Sequence, residues 1–252
     1  MTATGKFMDG ASIPTTPSDT GEYEDALVEM RLHFEGYEGL NGRAEGRDAS
    51  GVQLFSAEMN QILGAVPCFT ASSCVATGQG LVTVSDLTPG TRVITRDNGM
   101  QELLWVGQRR FGWRAIGLNP FLRPVRIAAG ALGLGLPERD MVVSPNHRFL
   151  TRLPGEGESG ERLAMARDLV GLDGIGYDRA TEVVYWQLLF ARHELVLADG
   201  CWSESFQPTE AHLDALGANL RASMAQSLPG IGVEDRTAYE TVRPIAEIDS
   251  AA

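Results

Sequence analysis

Val66-Pro67-Cys68-Phe69-Thr70 is the stretch that divides this chain. After it, short β-branched runs separated by turn residues take over, the pattern of an all-β domain. A domain that begins at Cys68 puts a thiol one residue past the Pro67 carbonyl. A thiol so placed can attack that carbonyl carbon and turn the peptide bond into a thioester. By itself a cysteine argues little, because free cysteines pack more often than they react.

Working outward toward the C-terminus, Leu81 to Val84 and Thr91 to Thr95 flank Asp86-Leu87-Thr88-Pro89-Gly90, where proline sets a turn and glycine closes it. Thr91 to Thr95 then meets Gln101 to Val106 across Asp97-Asn98-Gly99, residues that tolerate the positive φ of a hairpin turn. Met141-Val142-Val143 and Arg148-Phe149-Leu150 bracket Ser144-Pro145-Asn146-His147, which places His147 at a tight bend between two strands. Val183 to Phe190 and Glu194 to Ala198 read as the last strands, the second running into Asp199-Gly200. From Thr209, a suitable N-cap, Leu213, Leu216 and Leu220 recur at helical spacing until Pro229-Gly230. The final twenty residues read as a tail.

In the other direction, residues 1–20 carry Thr, Ser, Gly and Pro with few bulky apolar side chains, too little to offset the entropy of ordering them. They read as a flexible tail. Residues 21–67 form a leader: Leu27, Met30 and Phe34 predict an amphipathic helix between Glu22 and Glu35, Asn41 to Gly51 a loop, and Leu54 to Leu63 a second helix. The domain proper spans 68–208, with a C-terminal helix and tail over 209–252.

The 21 Lys and Arg against 33 Asp and Glu give a formal charge of −12, which argues against a nucleic-acid groove. No run is long enough to span a bilayer, and the first thirty residues lack the basic and apolar regions of a signal peptide. The expected location is therefore cytoplasmic, or outside the cell by a route without such a signal. Cys68, Cys74 and Cys201 are an odd set without regular spacing, so neither a disulfide framework nor a zinc ribbon is suggested. Cys74 and Cys201 read as small buried hydrophobes. Gly130, Gly133 and Gly135 lack the order of a phosphate-binding loop, and no cofactor is called for.

Several ordered segments together carry a resemblance. Cys68-Phe69-Thr70, Ser144-Pro145-Asn146-His147, His193-Glu194-Leu195-Val196 and Glu204-Ser205-Phe206 resemble the Hint domain shared by Hedgehog C-terminal domains and inteins. Pro124-Val125-Arg126-Ile127, Ala129-Gly130-Ala131-Leu132-Gly133 and Leu136-Pro137 are similar to segments of the bacterial Hint-domain proteins. The likeness runs from Cys68 to about Pro208.

The resemblance implies an all-β, horseshoe-like fold of two intertwined β subdomains with short helical flanks, and an autocatalytic N-to-S acyl shift. Carried to this chain, Cys68 attacks the Pro67 carbonyl, His147 protonates the departing nitrogen, and the Ser144 hydroxyl orients the scissile peptide where relatives carry threonine. His193 aligns with a later histidine that supports resolution of the thioester. The substrate is the chain's own N-terminal segment, and the acceptor is water or an external nucleophile.

Three departures from the family pattern matter. Asp199-Gly200-Cys201-Trp202-Ser203-Glu204-Ser205 has no asparagine to cyclise, which implies cleavage or transfer without full splicing. The segment Gln101 to Gly107 lacks the aspartate that activates a sterol in Hedgehog domains. Gln187 stands where bacterial relatives often have histidine, and Gly90-Thr91 where many have Gly-Asp. These changes favour a second reading, a Hint fold retained as a non-catalytic binding or carrier module; a trans-acting cysteine hydrolase would need an open substrate cleft, and zinc bound by Cys68, His147, His193 and Cys201 has suitable ligand types but no metal-binding spacing.

Overall fold

From Phe69 to Glu204 the chain passes back and forth between two antiparallel sheets. The computed structural model describes residues 2–6, 28–34, 42–58, 66–118, 122–152, 160–209, 212–213, 216, 218–227 and 239–246. After β1 (Thr2–Lys6), β2 (Glu29–Phe34), β3 (Gly42–Arg47) and β4 (Gln53–Glu58), the short β5 (Phe69–Thr70) enters a six-stranded sheet. The chain leaves it for β6 (Cys74–Thr77), β7 (Gly80–Thr83), β8 (Arg92–Thr95) and β9 (Gly99–Glu102) of an eight-stranded sheet. It returns for β10 (Trp105–Phe111), β11 (Val125–Ile127) and β12 (Met141–Val143), crosses again for β13 (Arg148–Arg152) and β14 (Glu161–Met165), and comes back for β15 (Ile175–Tyr177) and β16 (Val183–Leu189). The last strands, β17 (Leu195–Ala198) and β18 (Cys201–Glu204), lie in the eight-stranded sheet. The expected intertwining of two β halves is this alternation.

The hairpin expected at Asp97-Asn98-Gly99 joins β8 to β9, with Gly99 at φ +65°. Its second arm is shorter than the sequence suggests. Leu103 N–H stays with Thr91 O at 2.9 Å, whereas Leu104 N–H turns to Leu189 O at 2.8 Å in the other sheet. One apolar run thus serves two sheets. Asp199 and Gly200, at φ +47° and +81°, make the two-residue turn between β17 and β18, a geometry that Asp and Gly tolerate.

β16 and β5 are adjacent interior strands of the six-stranded sheet, in the order β10-β16-β5-β12-β11-β15, and strand alternation divides their side chains between two cores. On one face Cys68, Tyr185 and Leu189 pack with Trp105, Phe206 and Leu216. On the other, Phe69, Leu188 and Phe190 join Val143 and Phe149. Gln187, two residues from both Tyr185 and Leu189, shares the Cys68 face.

The N-terminal flank differs from its expected form, because β1 to β4 make a four-stranded antiparallel sheet in chain order. Where the helix of Glu22 to Glu35 was expected, residues 29–34 are β2; Met30, Leu32 and Phe34 alternate with Glu29, Arg31 and His33, a period of two that pairing with β3 selects. The expected Asn41 to Gly51 loop is β3 followed by a turn in which Asp48 Oδ1 accepts from Ser50 N and Val52 N at 2.8 and 2.9 Å. The second expected helix is strand through Glu58, and the expected tail is strand from Thr2 to Lys6. Residues 1, 7–20, 22–27, 35, 41 and 59–63 of these expectations lie outside the described residues.

At the other end Thr209 caps as expected, its Oγ1 accepting from His212 N–H at 3.2 Å, and a helix runs from Ala218 to Ser227. The stop at Pro229-Gly230 lies outside the described residues. Residues 239–246 are no loose tail. Tyr239 is buried and donates its hydroxyl to Phe190 O at 3.0 Å, Leu163 and Ala246 hydrogen-bond across the edge of β14, and Arg243 grips Asp97 and Glu161. No helix among the described residues is long and apolar enough to cross a membrane.

Candidate active site

Cys68 is held by three elements. β5 and β12 pair at Phe69 and Val143, so the next residue, Ser144, donates its N–H to Cys68 O at 3.0 Å. Pro145 follows and the chain turns back at once, His147 N–H reaching Ser144 O at 3.0 Å, as proline in a tight turn favours. This fixes the Ser144 side chain beneath the backbone of residues 66–68. Its Oγ accepts from Cys68 N–H at 2.9 Å and donates to Val66 O at 3.1 Å. The hydroxyl therefore touches the nitrogen of the Pro67 to Cys68 peptide itself.

The thiol has its own partners. Cys68 Sγ donates to Val66 O at 2.8 Å and accepts from Gln187 Nε2 at 3.0 Å. Burial pushes the Cys68 thiol up to about 12, against the weaker opposing pulls of the Gln187 amide and the Arg109 charge. At rest the sulfur is a thiol, and any nucleophilic use of it requires removal of its proton.

Gly107 gives Gln187 its place. It lies opposite Gln187 on β10, and a Cβ built there would fall within the Trp105 ring and against Gln187 Oε1. Gly107→Ala is expected to cost about 3 kcal/mol through overpacking and to displace the Gln187 amide from Cys68. Chemical denaturation, together with faster alkylation of Cys68 in the native protein, checks this.

His147 is wholly buried, its ring edge-on to Phe69 and Phe149 at centroid distances of 4.4 and 4.9 Å. Neither ring nitrogen has a hydrogen-bond partner among the described residues. Burial pulls its pKa down to about 4, against the opposing charge of Glu204, so the ring is neutral at neutral pH. The unfolded chain takes up this proton near the ordinary value of 6.5, whereas the folded one takes it up only near 4. Between those values the unfolded state binds more protons, so stability is fully present above 6.5 and is lost as pH falls toward 4, by up to about 3 kcal/mol. Urea unfolding at pH 7.5 and pH 4.5 measures the loss, and His147→Phe should remove this part of it.

His193 lies elsewhere in the same buried polar region. Its Nδ1 accepts from Val242 N–H at 3.3 Å, and its Nε2 stands 3.5 Å from Glu204 Oε2. Ser144 and Gln187 thus touch Cys68 directly, whereas the hydrogen-bond and ion-pair partners of His193 are Val242 and Glu204. The sequence singled out Gln187 only as a departure, and it gave Glu204 no role. Burial pushes the Glu204 carboxyl up, but the His193 contact and the charges of Arg148, His193 and His147 together hold it below the usual range. The zinc set is not assembled: Cys68 and Cys201 belong to different cores, and no group of three or more His, Cys, Asp or Glu among the described residues is arranged to hold a metal. All three cysteines are free and buried.

Residues 67–210 match the family model of the Hint domain, and the chain belongs to that family. No curated protein matches it. Among solved structures it is similar to the gp41-1 intein, at 14% identity and a TM-score of 0.33 over 55% of this chain and 97% of the intein. A DnaB intein from Synechocystis sp. PCC 6803 gives 15% and 0.34, over 55% and 97%. A bacterial intein-like domain from Clostridium thermocellum gives 15% and 0.32, again over 55% and 97%. The all-β class read from the sequence holds.

Proposed function

We propose that this chain is a self-processing Hint domain that performs an N-to-S acyl shift at the Pro67 to Cys68 bond and then releases or transfers the acyl group without full splicing. The observation that carries the reading is the Ser144 hydroxyl, which accepts from the scissile nitrogen while the Cys68 thiol and that same hydroxyl converge on Val66 O. Cys68 Sγ forms a bond to the Pro67 carbonyl carbon and gives up its proton to a base. The carbon–nitrogen bond then breaks, and the Cys68 nitrogen leaves with a proton as a free amine. Neutral His147 is the carrier that takes the proton and returns it, a task suited to an unpartnered imidazole. Water or an external thiol or amine then attacks the thioester carbon, and the Cys68 thiol is restored. His193 supports this second step through the buried polar region that it shares with His147.

Intact-protein mass spectrometry after incubation with a small thiol tests the proposal. The expected products are residues 1–67 carrying the thiol on Pro67, and residues 68–252 with a free Cys68 amine. A second reading, a Hint fold kept as a binding or carrier module, is favoured by the protonated, enclosed thiol and by glutamine at position 187. A single persistent mass under all conditions would select it.

A further inference from the structure

Glu204 ends β18 with its side chain fully enclosed, and it stands at the meeting point of charges from several elements. Arg148, at the start of β13, donates from Nη1 to Glu204 Oε2 at 3.0 Å, and that guanidinium is itself almost buried. His193, before β17, brings Nε2 to 3.5 Å from the same oxygen. The charge of Glu204 also reaches His147 in the Ser144 to His147 bend, His212 in the C-terminal segment, and Cys68. Removing one partner of such a pair leaves an uncompensated buried charge, so Glu204 and Arg148 hold each other in place.

The tautomer of His193 follows from its two partners. Val242 N–H donates to Nδ1, which therefore carries the lone pair, and in a neutral ring the proton sits on Nε2, 3.5 Å from Glu204 Oε2 and without a hydrogen-bond partner among the described residues. Val242 lies beyond residue 210, outside the matched domain, so the segment 239–246 completes this arrangement.

We infer that Glu204 is a positioning residue of the Cys68 site: clamped by Arg148, its carboxylate orients His193 through the facing Nε2 and supplies the negative charge in whose field His147 can hold a proton. A carboxylate in this position fixes one imidazole in orientation and stabilises the other as a transient cation. The effect on rate rests on the self-processing reading, whereas the state of the histidine rings does not.

Nitrogen-15 NMR of histidine-labelled protein at neutral pH, with thiol-driven cleavage measured beside it, tests the inference. In the wild type His193 should be the Nε2–H tautomer, with that proton shifted downfield by the carboxylate. Glu204→Gln should move the proton upfield and slow cleavage about tenfold or more; Glu204→Asp should restore part of both. If Glu204→Gln does not fold, Val242→Pro tests the carboxylate by itself, because with the Nδ1 donor gone Glu204 should still keep the proton on Nε2. An Nδ1–H tautomer in the wild type would overturn the inference. So would an unmoved ring proton in folded Glu204→Gln, or an Nδ1–H tautomer in Val242→Pro. A wild-type chain that never cleaves but shows the expected ring signals counts against self-processing and leaves the role of Glu204 standing.

Discussion

Cys68→Ala is expected to leave no product cut between Pro67 and Cys68, a loss of at least about a thousandfold, as removal of a covalent nucleophile produces elsewhere. The structure separates this effect from a folding defect. Alanine keeps the backbone N–H that donates to Ser144 Oγ and the carbonyl that accepts from Ser144 N, so the Pro67 to Cys68 peptide stays in place. Two side-chain interactions disappear, the thiol's donation to Val66 O and its acceptance from Gln187 Nε2. Val66 O keeps the Ser144 hydroxyl, and the main cost is a buried amide without its partner, about 1 to 2 kcal/mol. The measurement is mass spectrometry of the folded variant, its unfolding midpoint recorded alongside. Cleavage at the same bond in folded Cys68→Ala would end the acyl-shift mechanism.

The second large effect is at His147, where stability and activity should move apart. Its ring fills a slot between Phe69 and Phe149, yet neither nitrogen finds a partner among the described residues. A buried polar atom without a partner costs about 1 to 3 kcal/mol, so an apolar ring of similar size should fit at no loss. His147→Phe is therefore expected to be as stable as the wild type or about 1 kcal/mol more so, while cleavage falls about 10² to 10⁴-fold with the proton carrier gone. His147→Ala loses the same activity but also opens a cavity, costing about 2 kcal/mol. Denaturant midpoints and cleavage rates of the two variants check the pattern. A His147→Phe protein that cleaves at the wild-type rate would confine the histidine to packing.

The Glu204 arrangement links these two predictions. His147 and Cys68 both feel the Glu204 charge, in directions that favour proton on each: it raises the imidazole and it raises the thiol. The carboxylate therefore favours the histidine as proton holder while opposing a free thiolate at rest. A concerted transfer, in which sulfur loses its proton as the carbon–sulfur bond forms, answers both constraints.

The sequence by itself determined the all-β class and the turn chemistry: Asp97-Asn98-Gly99, Ser144-Pro145-Asn146-His147 and Asp199-Gly200 are local signals, and each turn forms where its residues require it. It also placed the Cys68 thiol next to the Pro67 carbonyl, whereas Ser144 and His147 were singled out through the resemblance of their bend to the Hint domain. Other features depended on contacts distant in the chain. β2 became a strand because β1 and β3 pair with it, overriding a spacing that also fits a helix. Gln187 became a partner of the thiol because strand alternation turns it onto the Cys68 face, with Gly107 leaving room. Glu204 met Arg148 because β13 and β18 are neighbours, and His193 met Val242 because the C-terminal segment folds back over the domain. Turns are set by the backbone preferences of a few adjacent residues, whereas burial and charge pairing depend on which distant strands share a face, and only the tertiary structure decides that.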